Sequence, residues 1–237
     1  MTTENQKNVK CTKCGGLGFI ITDGEDGRTY CRVCECQKQA ICMENIKASG
    51  LESFLQEYRF DNFDTKYSWQ KQIMAYAKEY LQTPGQNWFA LLGQSGAGKT
   101  HICTAICGEL LHQGKKVKYL RWAVELKRLK MLVPGSVDYD CEIDRILSED
   151  VIYIDDLFKR GKGSLPSNAD IQLVFELVDS AIALEKTLIL SGEDTFQSLI
   201  EIDEAIAGRI KKQCDKYFLQ IPKDSTKNYR LKGNNEK

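Results

Sequence analysis

Gly93-Gln94-Ser95-Gly96-Ala97-Gly98-Lys99-Thr100 places glycines, a lysine and a hydroxyl at the spacing GxxxxGK[ST], at which a backbone can wrap a chain of phosphates. Glycines let several N–H groups point inward, and a helix starting at the end of the loop adds its positive N-terminus. Lys99 is expected to reach the β- and γ-phosphates and Thr100 to offer Mg²⁺ a hard oxygen, with Gly93, Gln94, Ser95, Gly96, Ala97, Gly98 and His101 forming the rest of the contact surface. A second set of acids follows an apolar run, Val151-Ile152-Tyr153-Ile154-Asp155-Asp156. A buried strand ending in paired carboxylates delivers them to the edge of a sheet beside the phosphates. Asp155 is expected to hold Mg²⁺ through water, and Asp156 to orient or deprotonate the attacking water, with a shorter arm than the glutamate many ATPases use there.

The cysteines suggest a different chemistry. Of ten in the chain, five lie in the first 36 residues, and Met1 to Lys10 is polar with no secretory leader ahead of them, so metal ligation explains them better than disulfides. Cys11-x-x-Cys14 and Cys31-x-x-Cys34 are separated by 16 residues, a spacing at which four thiolates close one tetrahedral Zn²⁺. Cys36 supplies a fifth thiol, and the choice between Cys31 and Cys36 stays open. The other five, Cys42, Cys103, Cys107, Cys141 and Cys214, sit among apolar neighbours and are given no role.

These residues need a scaffold, and 237 residues suit one main domain plus a small module. Residues 1–40 read as a loop-rich, metal-stapled head with two hairpin-like arms, 41–58 as a helical linker broken at Ser49-Gly50, and 59–237 as an α/β domain. Strands are expected over 88–92, 116–120, 151–154 and 187–190. Helices are expected over 69–81, 100–113, 123–131, 169–184 and 195–211, the last with a break near Asp203. Helices between apolar strands imply a mostly parallel sheet covered on both faces. The tail from Lys223 onward is polar and charged.

Lys plus Arg and Asp plus Glu number 33 each, so no global field selects nucleic acid or membrane, and no run approaches the roughly 18–20 apolar residues that span a bilayer. The expectation is a cytoplasmic protein with no membrane partner. One local patch is basic: Lys115, Lys116, Lys118, Arg121, Lys127, Arg128 and Lys130 stand against Glu125 alone, with Tyr119 and Trp122 interleaved. This is a surface on which single-stranded DNA would find charge and stacking area, or else an exposed helix face whose stems cover the core. Lys159, Arg160 and Lys162 are a second possible contact.

Taken together, the Cys-rich head, Phe60-Asp61-Asn62-Phe63, the phosphate loop, Ile154-Asp155-Asp156-Leu157-Phe158-Lys159, Leu190-Ser191-Gly192-Glu193 and Asp203-Glu204-Ala205 leading to Gly208-Arg209-Ile210 resemble a known family. It is that of the AAA+ helicase loaders of the DnaC/DnaI type, particularly their phage-encoded relatives, with the IstB-like transposition ATPases nearby. The resemblance implies an AAA+ core, slow ATP hydrolysis acting as a switch, docking to a replicative DNA helicase through the zinc head, delivery to single-stranded DNA, and homo-oligomers when ATP is bound. It puts Ser191 roughly at a nucleotide-sensor position where such families often carry Asn, makes Arg209 an arginine finger for a neighbouring subunit, and makes Arg230 a second nucleotide-sensing candidate. A transposition helper and a zinc-dependent adaptor that binds ATP without turnover are the alternatives.

Overall fold

The computed structural model describes residues 11–24, 26–161, 164–224 and 227–229, with the side chains of Leu126 and Lys127 left out. Its centre is a five-stranded parallel sheet in the order β4-β5-β6-β3-β7, formed by β3 (Phe89–Gly93), β4 (Val117–Arg121), β5 (Val151–Leu157), β6 (Thr187–Gly192) and β7 (Phe218–Ile221). The chain leaves β3 in the interior of the sheet, crosses to the far edge at β4, and returns through β5 and β6. That leaves a crevice beyond the C-terminal end of β3, the position where open α/β sheets bind ligands.

Period-2 alternation divides the core. Phe89 and Leu91 of β3 and Val151 and Tyr153 of β5 face a layer built on α2 (Ser68–Tyr80) and α3 (Lys99–His112). Ala90, Leu92, Ile152 and Ile154 face the other layer, which is formed by α5 (Val137–Leu147), α6 (Asn168–Ala183), α7 (Phe196–Ile202) and α8 (Glu204–Cys214). The interruption near Asp203 is real: this residue ends α7 and caps α8, its carboxylate accepting from Ile206 N–H at 2.8 Å. Two elements were not expected from the sequence, α5 and β7. Helix α4 (Trp122–Leu129) follows β4 directly.

The head departs from two arms. Among the described residues it has one antiparallel hairpin, β1 (Phe19–Asp23) with β2 (Thr29–Val33), and the first cysteine pair lies in turns ahead of it. Helix α1 (Glu35–Ser49) then runs without interruption across residue 40 and lies against α3 and β4, ending at Gly50 in the left-handed conformation.

Backbone contact forces one glycine. Gly93 has φ +115°, and a Cβ there would lie 2.1 Å from the Ile221 carbonyl oxygen of β7. Gly93→Ala is therefore expected to cost roughly 2–3 kcal/mol. At about 2–4 °C per kcal/mol for a domain of this size, thermal unfolding should show a drop in Tm of about 4 °C or more.

Candidate nucleotide site and cysteine cluster

The loop after β3 turns through Gly96 (φ +73°) and Gly98 (φ +79°) into α3. A side chain on Gly98 would strike the Phe63 ring at 2.8 Å, so the 60–63 segment lies directly against the loop. Lys99 is only 6% exposed and donates to the carbonyl oxygens of Gly93 and Gln94, both at 2.8 Å. Burial lowers its pKa, opposed by the nearby carboxylates of Glu193 and Asp156. Ala97 is buried, Gln94 Oε1 accepts from Asp224 N–H at 2.6 Å, and His101 sits between the Tyr58 and Phe63 rings with Nε2 on the Arg59 carbonyl at 2.7 Å. Tyr229 N–H donates to the Gly96 carbonyl, and the Tyr229 hydroxyl reaches Asp64. These groups enclose a pocket of about 300 Å³ lined by residues 95–101 together with Tyr58, Phe63, Asp156, Glu193 and Tyr229.

Asp155 and Asp156 stand near the C-terminal end of β5, where the strand bulges. The register between β5 and β6 shifts between Ile154 and Leu157, and Asp156 takes φ +58°. Its N–H leaves the ladder and bonds Ser191 Oγ at 3.1 Å, so both carboxylates end near the crevice although strict alternation would put them on opposite faces. Asp155 is 4% exposed and collects four hydroxyl donors: Thr100 at 3.0 Å, Tyr153 at 2.8 Å and Ser191 at 2.5 Å on Oδ1, and Tyr119 at 3.0 Å on Oδ2. Burial raises the pKa of both tyrosines, with Asp155 adding to it, so they remain donors. Thr100 and Asp155 thus sit side by side as hard oxygen ligands of the kind Mg²⁺ accepts.

Tyr119 and Tyr153 were missed as site residues, and Tyr119 and Trp122 do not offer stacking surface. Tyr119 points at Asp155, and Trp122 is 6% exposed with its ring edge-on to Phe158. Tyr119 packs on the layer of α2 and α3 and Trp122 on the opposite layer, because helices cover both faces of the parallel sheet. A signal existed: Tyr153 stands two residues before Asp155, and Tyr119 pairs with Tyr153 across the parallel ladder. Glu193 and Lys159 were also missed as members of this site; both follow strand ends at the same edge as the acids.

Arg209 lies outside this pocket. It stacks on Phe175 at 4.8 Å, pairs with Asp179 at 3.4 Å and donates to Ala205 O, half-buried against α6. Arg230 and Lys162 lie outside the described residues. Within the basic stretch, Arg128 pairs with Glu125 at 3.8 Å and Lys130 with Asp170 at 2.6 Å.

In the head, Cys11, Cys14, Cys34 and Cys36 bring their sulfurs within 4.8 Å of one another, while Cys31 is exposed on β2 opposite Ile21. The geometry thus selects Cys36 over Cys31: Cys31 lies in β2, whose residues are all exposed, and the start of α1 returns Cys36 beside Cys34. Gly15, Gly16 and Gly18 adopt positive φ, and Gly18 N–H donates to Cys14 Sγ at 3.4 Å. Backbone hydrogen bonds hold the Cys11 thiol below its ordinary range. Burial opposes ionisation of Cys14, but backbone and thiol hydrogen bonds outweigh it, and hydrogen bonds to Cys14 and Cys34 push Cys36 up. Four sulfurs so placed fit a structural Zn²⁺.

Comparison with known proteins agrees with this architecture. Residues 35–236 match the family described as IstB-like ATP binding protein. The YqaM protein of Bacillus subtilis is 31% identical over 91% of this chain and 72% of its own length, and the replicative helicase loader DnaC of Escherichia coli is 27% identical over 60% of each. A crystal structure of the DnaC helicase loader superposes with a TM-score of 0.58 at 16% identity, over 69% of this chain and 96% of that one, which speaks to the fold. With a phosphate loop and paired acids in place on this five-stranded parallel sheet, the chain belongs to the IstB-like ATP-binding family.

Proposed function

We propose that this protein is an ATP-driven helicase loader: it binds Mg²⁺-ATP in the pocket above β3, hydrolyses it slowly, and uses the change of state to deliver a replicative DNA helicase to single-stranded DNA in the cytosol. The observation that carries the nucleotide reading is the 3.0 Å bond between Thr100 and Asp155 beside the buried Lys99. The bound Mg²⁺ would supply charge neutralisation between phosphate oxygens. Around it Thr100 and Asp155 hold the metal side, Lys99 leaves its loop carbonyls for the phosphates, and Asp156 orients the attacking water. Tyr119, Tyr153 and Ser191 fix the Asp155 carboxylate in one orientation. Ser191, bonded to both acids, is placed to respond to occupancy of the pocket.

Helicase docking and DNA delivery rest on the resemblance to DnaC. Arg209, half-buried against α6 and away from its own pocket, would leave Asp179 to serve a neighbour's nucleotide in a head-to-tail assembly. The basic stretch from Lys115 to Lys130 would act on backbone phosphates, without stacking from Tyr119 or Trp122.

Phosphate release by native protein and Lys99→Ala, with and without oligo-dT, tests the reading. Native turnover stimulated by oligo-dT and a loss of about 100-fold or more in the variant are expected. Equal rates would leave a nucleotide-binding adaptor at most. A transposition helper is the alternative that the resemblance to IstB-like ATPases leaves, and capture of a transposase rather than a hexameric helicase from the native host would select it.

A further inference from the structure

Lys159 occupies an unusual position among these acids. Its ammonium donates to Asp156 Oδ2 at 2.9 Å and to Glu193 Oε1 at 3.1 Å, joining the turn after β5 to the turn after β6. Both carboxylates line the nucleotide pocket with Lys99, and Glu193 also takes a hydrogen bond from Ser95 of the phosphate loop. Lys159 itself lines the neighbouring cavity, of about 500 Å³, with Lys130, Arg160 and Trp122. One cation therefore stands between two cavities, holding two acids of the first and facing the second.

The turn that carries Lys159 is built to keep it there. Asp156 and Phe158 both have left-handed φ, +58° and +56°, and the Phe158 ring is buried. Arg160 donates to the Phe158 carbonyl at 2.7 Å and grips Asp194 with both arms of its guanidinium at 3.1 and 3.2 Å. Burial works against the charge on Lys159, but the two carboxylates outweigh it and its pKa stays above the ordinary lysine value. Burial likewise opposes ionisation of Glu193, and hydrogen bonds from Ser95 and Lys159 outweigh that.

We propose that Lys159 is a positioning residue that restrains hydrolysis: by bridging Asp156 and Glu193 it turns both carboxylates away from the attacking water, and phosphates of single-stranded nucleic acid in the neighbouring cavity draw it off. The inference rests on the hydrolysis reading above. In that reaction the water oxygen forms a bond to the γ-phosphorus, the bond from that phosphorus to the bridging oxygen breaks, and ADP departs with the electron pair. The water's proton passes to the Asp156 carboxylate. A group that takes this proton must lie within hydrogen-bond reach of it, and a carboxylate oxygen committed to Lys159 does not. The polyanion competes with these carboxylates for the Lys159 ammonium, whose side chain is 36% exposed, while Lys130 and Arg160 beside it stay paired with Asp170 and Asp194.

Lys159→Met keeps the stem and removes the charge. Steady-state phosphate release should show kcat rising about tenfold, a part of the 10²–10⁴ that a positioned acid–base group contributes, with KM for ATP within about twofold. Oligo-dT should no longer stimulate the variant, and Lys159→Arg should restore both restraint and stimulation. A merely structural bridge would lower kcat on removal, so an unchanged or reduced rate in a folded, ATP-binding Lys159→Met overturns the proposal. Should that variant fail to fold, Glu193→Gln, which weakens one half of the bridge, should raise kcat about threefold, and a fall overturns it. If native protein binds ATP without measurable turnover, the appearance of turnover in Lys159→Met supports the restraint and its absence overturns it. Failure of native protein to bind ATP in calorimetry would instead remove the nucleotide reading itself.

Discussion

Asp155→Asn is expected to lower phosphate release by about 100-fold or more while the protein still folds. The amide is isosteric with the carboxylate but cannot serve as the anionic oxygen ligand for Mg²⁺, and metal catalysis of this kind supplies several kcal/mol at about 1.4 kcal/mol per tenfold of rate. The cost to folding comes from elsewhere. Three hydroxyls, Thr100, Tyr153 and Ser191, converge on Oδ1 and Tyr119 on Oδ2. An NH₂ group facing part of that set leaves a buried donor without its acceptor, about 1–3 kcal/mol. Calorimetry should show that Mg²⁺ strengthens nucleotide binding by the native protein and does so far less for the variant. Turnover within threefold of native would remove Asp155 from the metal side of the site.

Removal of metal from the cysteine cluster is the second large effect. The turns and hairpin between its two cysteine pairs bury little: Leu17 is 75% exposed, Ile21 64% and Phe19 48%. An isolated two-stranded hairpin is marginal in water, whereas a structural Zn²⁺ contributes on the order of 10–16 kcal/mol in small zinc modules at neutral pH. Purified protein is expected to hold one Zn²⁺ per chain. A strong chelator, or Cys14→Ser, should open residues 11–34 to protease while the five-stranded domain keeps its thermal transition. Cys31→Ser should leave zinc content unchanged, since that thiol faces outward. Each ligand must shed its proton, so apparent zinc affinity should fall as pH is lowered through the range where the thiolates protonate. Protein that contains no zinc, with a protease pattern indifferent to chelator, would sink the assignment.

Local signals account for much of the architecture. Strands β3 to β6 are short apolar runs between turn residues, and their order with intervening amphipathic helices already implies a parallel sheet. Helix α5 was legible in principle: Tyr139, Ile143, Ile146 and Leu147 recur at helical spacing behind Ser136, which caps Tyr139 N–H. Strand β7 was not, because four residues with only Ile221 buried carry too little pattern, and its place is set by pairing with β3.

What the sequence by itself determined is the phosphate loop, the acidic strand end and a cysteine-rich head, because each is a local motif recognisable from residue type and short spacing. Tertiary structure decided the rest. The bulge that swings Asp156, the hydroxyls of Tyr119, Tyr153 and Ser191 that orient Asp155, the Lys159 bridge to Glu193 and the choice of Cys36 over Cys31 all join separate segments of the chain. Such contacts depend on which strands become neighbours and which side of each faces inward, and that is settled only when the whole core packs.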